Sequence, residues 1–158
     1  MLKTTGIFIM QRMIAIQKIE LPVPGMESLQ SEALAEGYSF IQTLVEQWAS
    51  AENRFDDPGE ILCGHLDQGL LVAVGALNID PFAGSTEIGR IRKIYVRHAW
   101  RNKGVGRALV TTLVEEARKS FRCVRLRADN TNAARLYEKI GFAPIESPDA
   151  THMLIFER

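Results

Sequence analysis

The densest apolar stretch of the chain, Leu70–Leu77, is broken only by Gly75 and falls far short of the ~20 residues that span a bilayer. It reads as a buried strand. Glu60–Leu66 predicts a second strand, and Asp67-Gln68-Gly69 between the two supplies the turn of a hairpin. Upstream, Met13–Leu21 alternates well enough for a first strand before Pro22-Val23-Pro24-Gly25 forces a turn. Ser28 would cap a helix through Ala35. Gly37 interrupts it, and Phe40, Ile41, Leu44, Val45 and Trp48 then fall on one helical face, predicting a helical pair or one kinked helix.

Beyond polar loops at Asn53–Gly59 and Asp80–Ser85, Glu87–Val96 predicts another strand. A helix from Gly104 carries Val105, Leu109, Thr112, Leu113 and Ala117 on its apolar stripe. Cys123–Ala128 returns as a strand. Asn132 would cap a helix that buries Ala133, Leu136, Tyr137 and Ile140 and stops at Gly141. Strands near Ala143–Ile145 and Met153–Glu157 complete a mixed sheet flanked by helices, an α/β fold class. Residues 12–158 read as one domain behind a poorly ordered extension over residues 1–11, with Met10 and Met13 as competing starts.

Composition excludes more than it selects. At 158 residues and 46% hydrophobic, the chain can bury a core. Nineteen Lys/Arg balance nineteen Asp/Glu, so no bulk charge draws it to nucleic acid or membrane. Cys63 and Cys123 are isolated within predicted strands, where reduced core thiols are expected, and the short apolar patch Gly6–Met10 has no cleavage-like segment behind it. A cytoplasmic location follows. His65, His98 and His152 lie far apart without ligand spacing, so no metal site is expected, and no Ser-centred nucleophile elbow occurs.

The charge is uneven locally: Arg90 to Arg107 holds seven Lys/Arg and no Asp/Glu. Within that segment Ile94-Tyr95-Val96 leads into Arg101-Asn102-Lys103-Gly104-Val105-Gly106-Arg107, a strand, a glycine-opened loop and a helix. Backbone N–H groups and the positive end of the helix make such a loop an anion cradle. A Walker loop would need Lys-Ser/Thr after the last glycine, where Arg107-Ala108 stands. A dinucleotide fingerprint would need a small residue at Leu109 and a strand ending directly before Gly104.

The pattern that remains, Arg101-x-x-Gly104-x-Gly106 behind a strand ending in Val96, resembles the acetyl-coenzyme A loop of the GNAT superfamily of N-acetyltransferases. Asn130-x-x-Ala133-x-x-Leu136-Tyr137-x-Lys139-x-Gly141-Phe142 resembles its second cofactor motif. The close resemblance covers residues 87–142; looser similarity to uncharacterised bacterial acetyltransferases reaches upstream through Glu52–Asp56 and Gly75–Pro81.

The resemblance implies a GNAT-like acyl-CoA N-acyltransferase fold and direct acetyl transfer from acetyl-CoA to an amine. Backbone groups of Ile94, Tyr95 and Val96 would hold the pantetheine arm, with an N–H near Ile94 as oxyanion donor. The loop from Arg101 to Arg107 would bind pyrophosphate through its amides, Arg101 and Lys103 adding charge. Asn130 would contact the pantetheine arm, against a plain turn role. Tyr137 would protonate the departing thiolate, against core packing.

The base is less defined. Near neutral pH an alkylammonium of pKa ~10.4 is about a thousandfold more protonated than neutral, so a proton must be removed. Superfamily members that carry a strand glutamate have it where Arg90 stands here. Glu87 and Asp80 are the nearest substitutes. Arg90 and Arg92 share strand parity with Ile94, which would aim both at the acceptor and favour a small amine bearing an acidic group; the alternative is pairing with acids of Glu52–Asp57. Asp80 and Phe55 would join Arg90 and Arg92 in acceptor binding, with Phe82 a further candidate and Trp48 one for which core packing is the favoured role. Peptide or protein acetylation and a non-catalytic acyl-CoA sensor are the competing functions. A homodimer through the sheet edges is a further expectation of the resemblance, with no interface assigned.

Overall fold

The computed structural model describes residues 14–157; the extension expected over residues 1–11 lies outside them. The chain runs β1 (Gln17–Lys18), α1 (Met26–Ala35), α2 (Phe40–Ala49), β2 (Ile61–Asp67), β3 (Leu70–Ile79), β4 (Ile88–Val96), α3 (Val105–Ser120), β5 (Cys123–Leu126), α4 (Thr131–Ile140), β6 (Ala143–Pro144) and β7 (His152–Ile155). The strands form one sheet in the order β1-β2-β3-β4-β5-β7-β6. Neighbours are antiparallel except β4 and β5, which are parallel and joined through α3.

Two apolar layers sandwich that sheet. On one face Leu109, Val110, Leu113 and Ala117 of α3 pack on Ala73, Leu77 and Ile91, joined by Tyr137 of α4. On the other, Leu29 and Ala33 of α1 and Ile41 and Leu44 of α2 cover Val74, Ala76 and Tyr95. The β2–β3 hairpin closes over Gln68 and Gly69, both at positive φ (50° and 81°), as a two-residue turn of matching twist requires. Gly37, at φ 91°, separates α1 from α2 as two helices, and α1 starts at Met26 rather than behind Ser28.

Several boundaries differ from expectation. The first strand shrinks to Gln17–Lys18, and β6 stops at Pro144, whose missing N–H cannot extend a ladder. Asn130, not Asn132, caps α4: its Oδ1 accepts the Ala133 N–H at 2.8 Å.

The feature that shapes the site is a bulge in β4. Tyr95 pairs with Val74 and Arg92 with Ala76, so Lys93 and Ile94 together face Gly75 alone. Lys93 takes φ 63°, in the left-handed region. A Cβ on Gly75 would lie 2.6 Å from Ile94 Cδ1 and 3.0 Å from Leu113 Cδ1, so glycine is what admits Ile94 beneath the strand. The inserted residue resets side-chain alternation. Ile91, Ile94 and Val96 point to the α3 face, while Tyr95 joins the α1/α2 face with Val74 and Ala76, the register partner of Arg92. Arg90 and Arg92 therefore do not share a face with Ile94; the expected parity fails because it presumes an unbroken strand.

Candidate active site

β4 pairs with β5 only from Ile88 to Arg90, yet continues to Val96. The two strands splay beyond that point, leaving one edge of β4 without a ladder partner. A cleft follows this edge, with Ile94, Tyr95 and Val96 on one wall, Asn130, Ala133, Leu136 and Tyr137 on the other, and Arg101, Asn102 and Gly106 at one end.

That end suits an anion. Asn102 (φ 60°) and Gly104 (φ 86°) turn the chain into α3, which has no side-chain cap and no acidic residue in its first turn. Its opening N–H groups thus lack a side-chain acceptor. A Cβ added at Gly106 would stand between Leu136 Cδ2 (3.7 Å) and Val96 Cγ2 (3.8 Å), filling the space between the walls. A phosphorylated group fits there through backbone amides. Lys103 and Arg107 are exposed beside it, the Lys103 ammonium 5.6 Å from the centre of the Trp100 ring.

A second, smaller cavity of about 210 Å³ adjoins the cleft. Consecutive β4 residues Arg90 to Ile94 line it, so it too lies along the unpaired edge. Arg127 and Asp129 close it from beyond β5, Phe40 from α2 and Tyr137 from α4. Phe40, Ile94, Asp129 and Tyr137 border both cavities and mark their junction.

Tyr137 is buried, with ring neighbours Phe142 and His152, but its hydroxyl makes no hydrogen bond to the described residues. Burial, reinforced by the Asp129 charge, pushes its pKa up to about 12, so it keeps its proton at neutral pH. Asp129 is the carboxylate bordering both cavities. Loss of solvent raises its pKa against the opposing pull of Arg127, which makes the ionised form a stronger base. Arg92 and Lys93 form no hydrogen bond or ion pair with the described residues, and burial lowers both their pKa values, that of Lys93 to about 8.

Comparison with known proteins agrees with this geometry. Residues 24–142 match the family model described as the GNAT acetyltransferase family. The chain belongs to that family. It is an acetyl-CoA-dependent N-acetyltransferase. Among solved structures, an Exiguobacterium protein (sp. 255-15) classed as an acetyltransferase superposes with a TM-score of 0.80 at 22% identity, covering 90% of this chain and 93% of that one. A Salmonella typhimurium protein of the same class, solved with its cofactor acetyl-CoA, gives 0.65 at 13% identity over 92% and 95%. Glucosamine-6-phosphate N-acetyltransferase from Arabidopsis thaliana gives 0.62 at 18% identity over 87% and 97%.

Within this acetyltransferase, several expected site residues lie elsewhere or are otherwise engaged. Arg101 borders the cleft, but its guanidinium is spent on Glu36 (2.9 and 2.7 Å) and the Val96 carbonyl (2.8 Å), stacked 5.4 Å from the Tyr95 ring centre. It braces the strand end against the α1–α2 junction. Asn130 borders the cleft too, with its side-chain oxygen committed as the α4 cap.

Glu87 precedes β4 at the end remote from the cleft, about 20 Å from Ile94 along a strand, where it pairs with Arg122 at 3.1 Å on the surface. It is no base for this site. Asp80 is sealed in the interior, binding Arg125 (2.9 Å) and Arg90 (3.5 Å) and accepting the Phe82 and Ala83 N–H groups. Burial alone would raise its pKa, but the Arg125 hydrogen bond, then Phe82 N–H and both cations, hold it below the ordinary range. Its oxygens are occupied, so it neither takes a proton nor meets an acceptor.

Phe55 is 3% exposed in the α1/α2 core, not at the pocket. Arg90 reaches the pocket wall while bound to Asp80 and the Asp149 carbonyl (2.7 Å), under Phe82 at 5.0 Å; the acids of Glu52–Asp57 are not its partners. Sequence reading missed Lys93, Asp129, Arg127 and Phe40. Of these only Asp129 carried a signal, an acid adjoining Asn130 of the second cofactor motif.

Proposed function

We propose that this acetyltransferase acts on the primary amine of a small metabolite that also bears an acidic group. The observation that carries this reading is the charge of the smaller cavity. Arg90, Arg92, Lys93 and Arg127 face a single carboxylate, Asp129, and among the described residues only Arg90 of the four has an ion-pair partner. Such a lining repels polyamines and attracts a carboxylate or phosphate. At about 210 Å³ the cavity is below the ~300–1,000 Å³ of drug-sized sites, which favours a compact acceptor over a peptide. One structural relative is named for an amine that carries a phosphate, which supports the same class.

The roles divide along the junction. Acetyl-CoA supplies an activated acyl thioester when bound in the cleft. Asp129 Oδ would take the ammonium proton of the acceptor, directly or through water; as the amine forms the C–N bond and the C–S bond breaks, the Tyr137 hydroxyl would protonate the departing sulfur and regain a proton from the new amide nitrogen through water. A β4 N–H near Ile94 would stabilise the carbonyl oxygen that gains charge. The free cysteines fit a cytoplasmic setting; among the described residues no helix is long and apolar enough to cross a membrane.

The test is release of free coenzyme A from acetyl-CoA against amino acids, aminoalkyl phosphates, polyamines, aminoglycosides and short peptides, with background hydrolysis subtracted. Turnover highest with acidic small amines is expected. Preference for spermidine-like amines or for peptides would overturn the acceptor assignment.

A further inference from the structure

Lys93 combines three properties that a packing residue does not need together. It is 8% exposed, it makes no hydrogen bond or ion pair with the described residues, and it adopts a left-handed backbone conformation that glycine would take without strain. A buried ammonium without a partner is costly to keep, and strain of this kind concentrates where a ligand is held. Its remaining exposure opens into the smaller cavity, which it lines beside Arg92. Among the described residues the cavity that it lines is bordered by Arg90 and Arg92 on β4, Arg127 and Asp129 beyond β5, Tyr137 on α4 and uncharged Phe40 on α2.

We infer that Lys93, assisted by Arg92, is the anchor for the acidic group of the acceptor and so sets the enzyme's specificity. The inference rests on the acidic-amine reading above and narrows it. Lys93 directly precedes Ile94, one Cα step of about 3.8 Å from the strand position assigned to the reacting carbonyl. An acid held there lies close to the transferred group, so amine and acid must be separated by a short spacer. The acceptor class is a compact amino acid or aminoalkyl phosphate, with Asp129 at the amine end and Lys93 at the acid end.

The experiment compares kcat/KM for matched pairs: amino acids with their carboxamides, and phosphoethanolamine with ethanolamine. The wild-type enzyme should favour the charged member of at least one series by tenfold or more, and the favoured series separates carboxylate from phosphate. Lys93→Met should reduce that ratio by about 10- to 100-fold, the range of a charge-assisted contact, and Lys93→Arg should restore much of it. Calorimetric titration with acetyl-CoA establishes that each variant retains its folded cleft.

A measurement on the wild type alone stands beside these. KM for the acidic member should rise as pH passes about 8, where Lys93 loses its proton, whereas deprotonation of the acceptor amine alone would not raise it. Absence of any turnover of acidic amines, or equal use of both members of every pair, would overturn the acidic-acceptor reading together with this one. An acidic preference that survives Lys93→Met with no change in KM near pH 8 would overturn the Lys93 assignment alone. A fall in kcat shared equally by charged and neutral amines would make Lys93 a proton-transfer group and equally reject the anchor.

Discussion

The cofactor cleft and the acceptor pocket run along the same free edge of β4 and are built from opposite materials. In the cleft the lining cation, Arg101, is engaged by Glu36, and the lining is mainly backbone, an unpaired strand edge and an uncapped helix start, with Lys103 and Arg107 exposed beside it. In the pocket Arg92 and Lys93 have no side-chain hydrogen bond or ion pair among the described residues. A group common to every turnover is thus met by peptide geometry, which tolerates sequence change. On the acceptor reading proposed above, the variable group would be met by side chains, where one substitution would alter preference. Positive charge in a sequence therefore does not by itself locate an anion site; what matters is which cations have no carboxylate of their own.

The largest effect that sharpens this contrast is at the junction. Tyr137→Phe should lower kcat by about 10²–10⁴-fold while acetyl-CoA affinity, measured by calorimetry, changes little. Unchanged turnover would reduce Tyr137 to packing. Next, Asp129→Asn should cost about a hundredfold in turnover and remove the acidic limb of the pH–rate profile, while Glu87→Gln, remote from both cavities, stays within twofold. Equal losses would mean that the remote carboxylate communicates with the site after all.

Gly106→Asp tests the backbone half. An acid in the first turn of α3 favours the helix dipole, so the melting temperature should hold or rise, yet acetyl-CoA should bind at least tenfold more weakly because both space and charge are wrong. A parallel loss of stability and affinity would instead indicate a folding defect.

The smallest effect concerns the brace. Arg101, then Tyr95, hold the Glu36 pKa down to about 2 from 4.5. Because the folded value is depressed, the contribution is complete above about pH 4.5 and is lost as pH falls towards 2. Glu36→Gln should cost about 1 kcal/mol of stability at pH 7 by chemical denaturation, a deficit that fades on acidification. Loss of cofactor affinity without loss of stability would return Arg101 to the phosphate.

These contrasts also explain what the sequence could disclose. The hairpin, the α3 start and the α4 face were legible because turn glycines and helical apolar spacing are local signals. Gly104 was legible for the same reason, since its φ of 86° is a local backbone demand, whereas Gly106 is helical and answers to the opposite wall of the cleft. The pocket was not legible. Which face Arg92 shares depends on one inserted residue at Lys93, and nothing in Arg-Lys-Ile-Tyr announces a bulge; the small residue that permits it, Gly75, lies on another strand. Asp80 and Arg125 meet across the fold, as do Arg101 and Glu36, so their engagement is invisible to spacing along the chain.

The phase change at Lys93 also bears on how such an enzyme diversifies. Residues 90–93 and 94–96 belong to one strand but answer to different neighbours, so variation in the first block leaves the orientation of the second intact. A library confined to positions 90–93 would explore new acceptors at constant cofactor recognition. Deleting Lys93 would instead remove the bulge, restoring plain alternation with Ile91, Ile94 and Val96 still on the α3 face, while taking the lysine out of the pocket. Point replacement and loss of the inserted residue would thus both act on the pocket while leaving the two faces of the strand as they are.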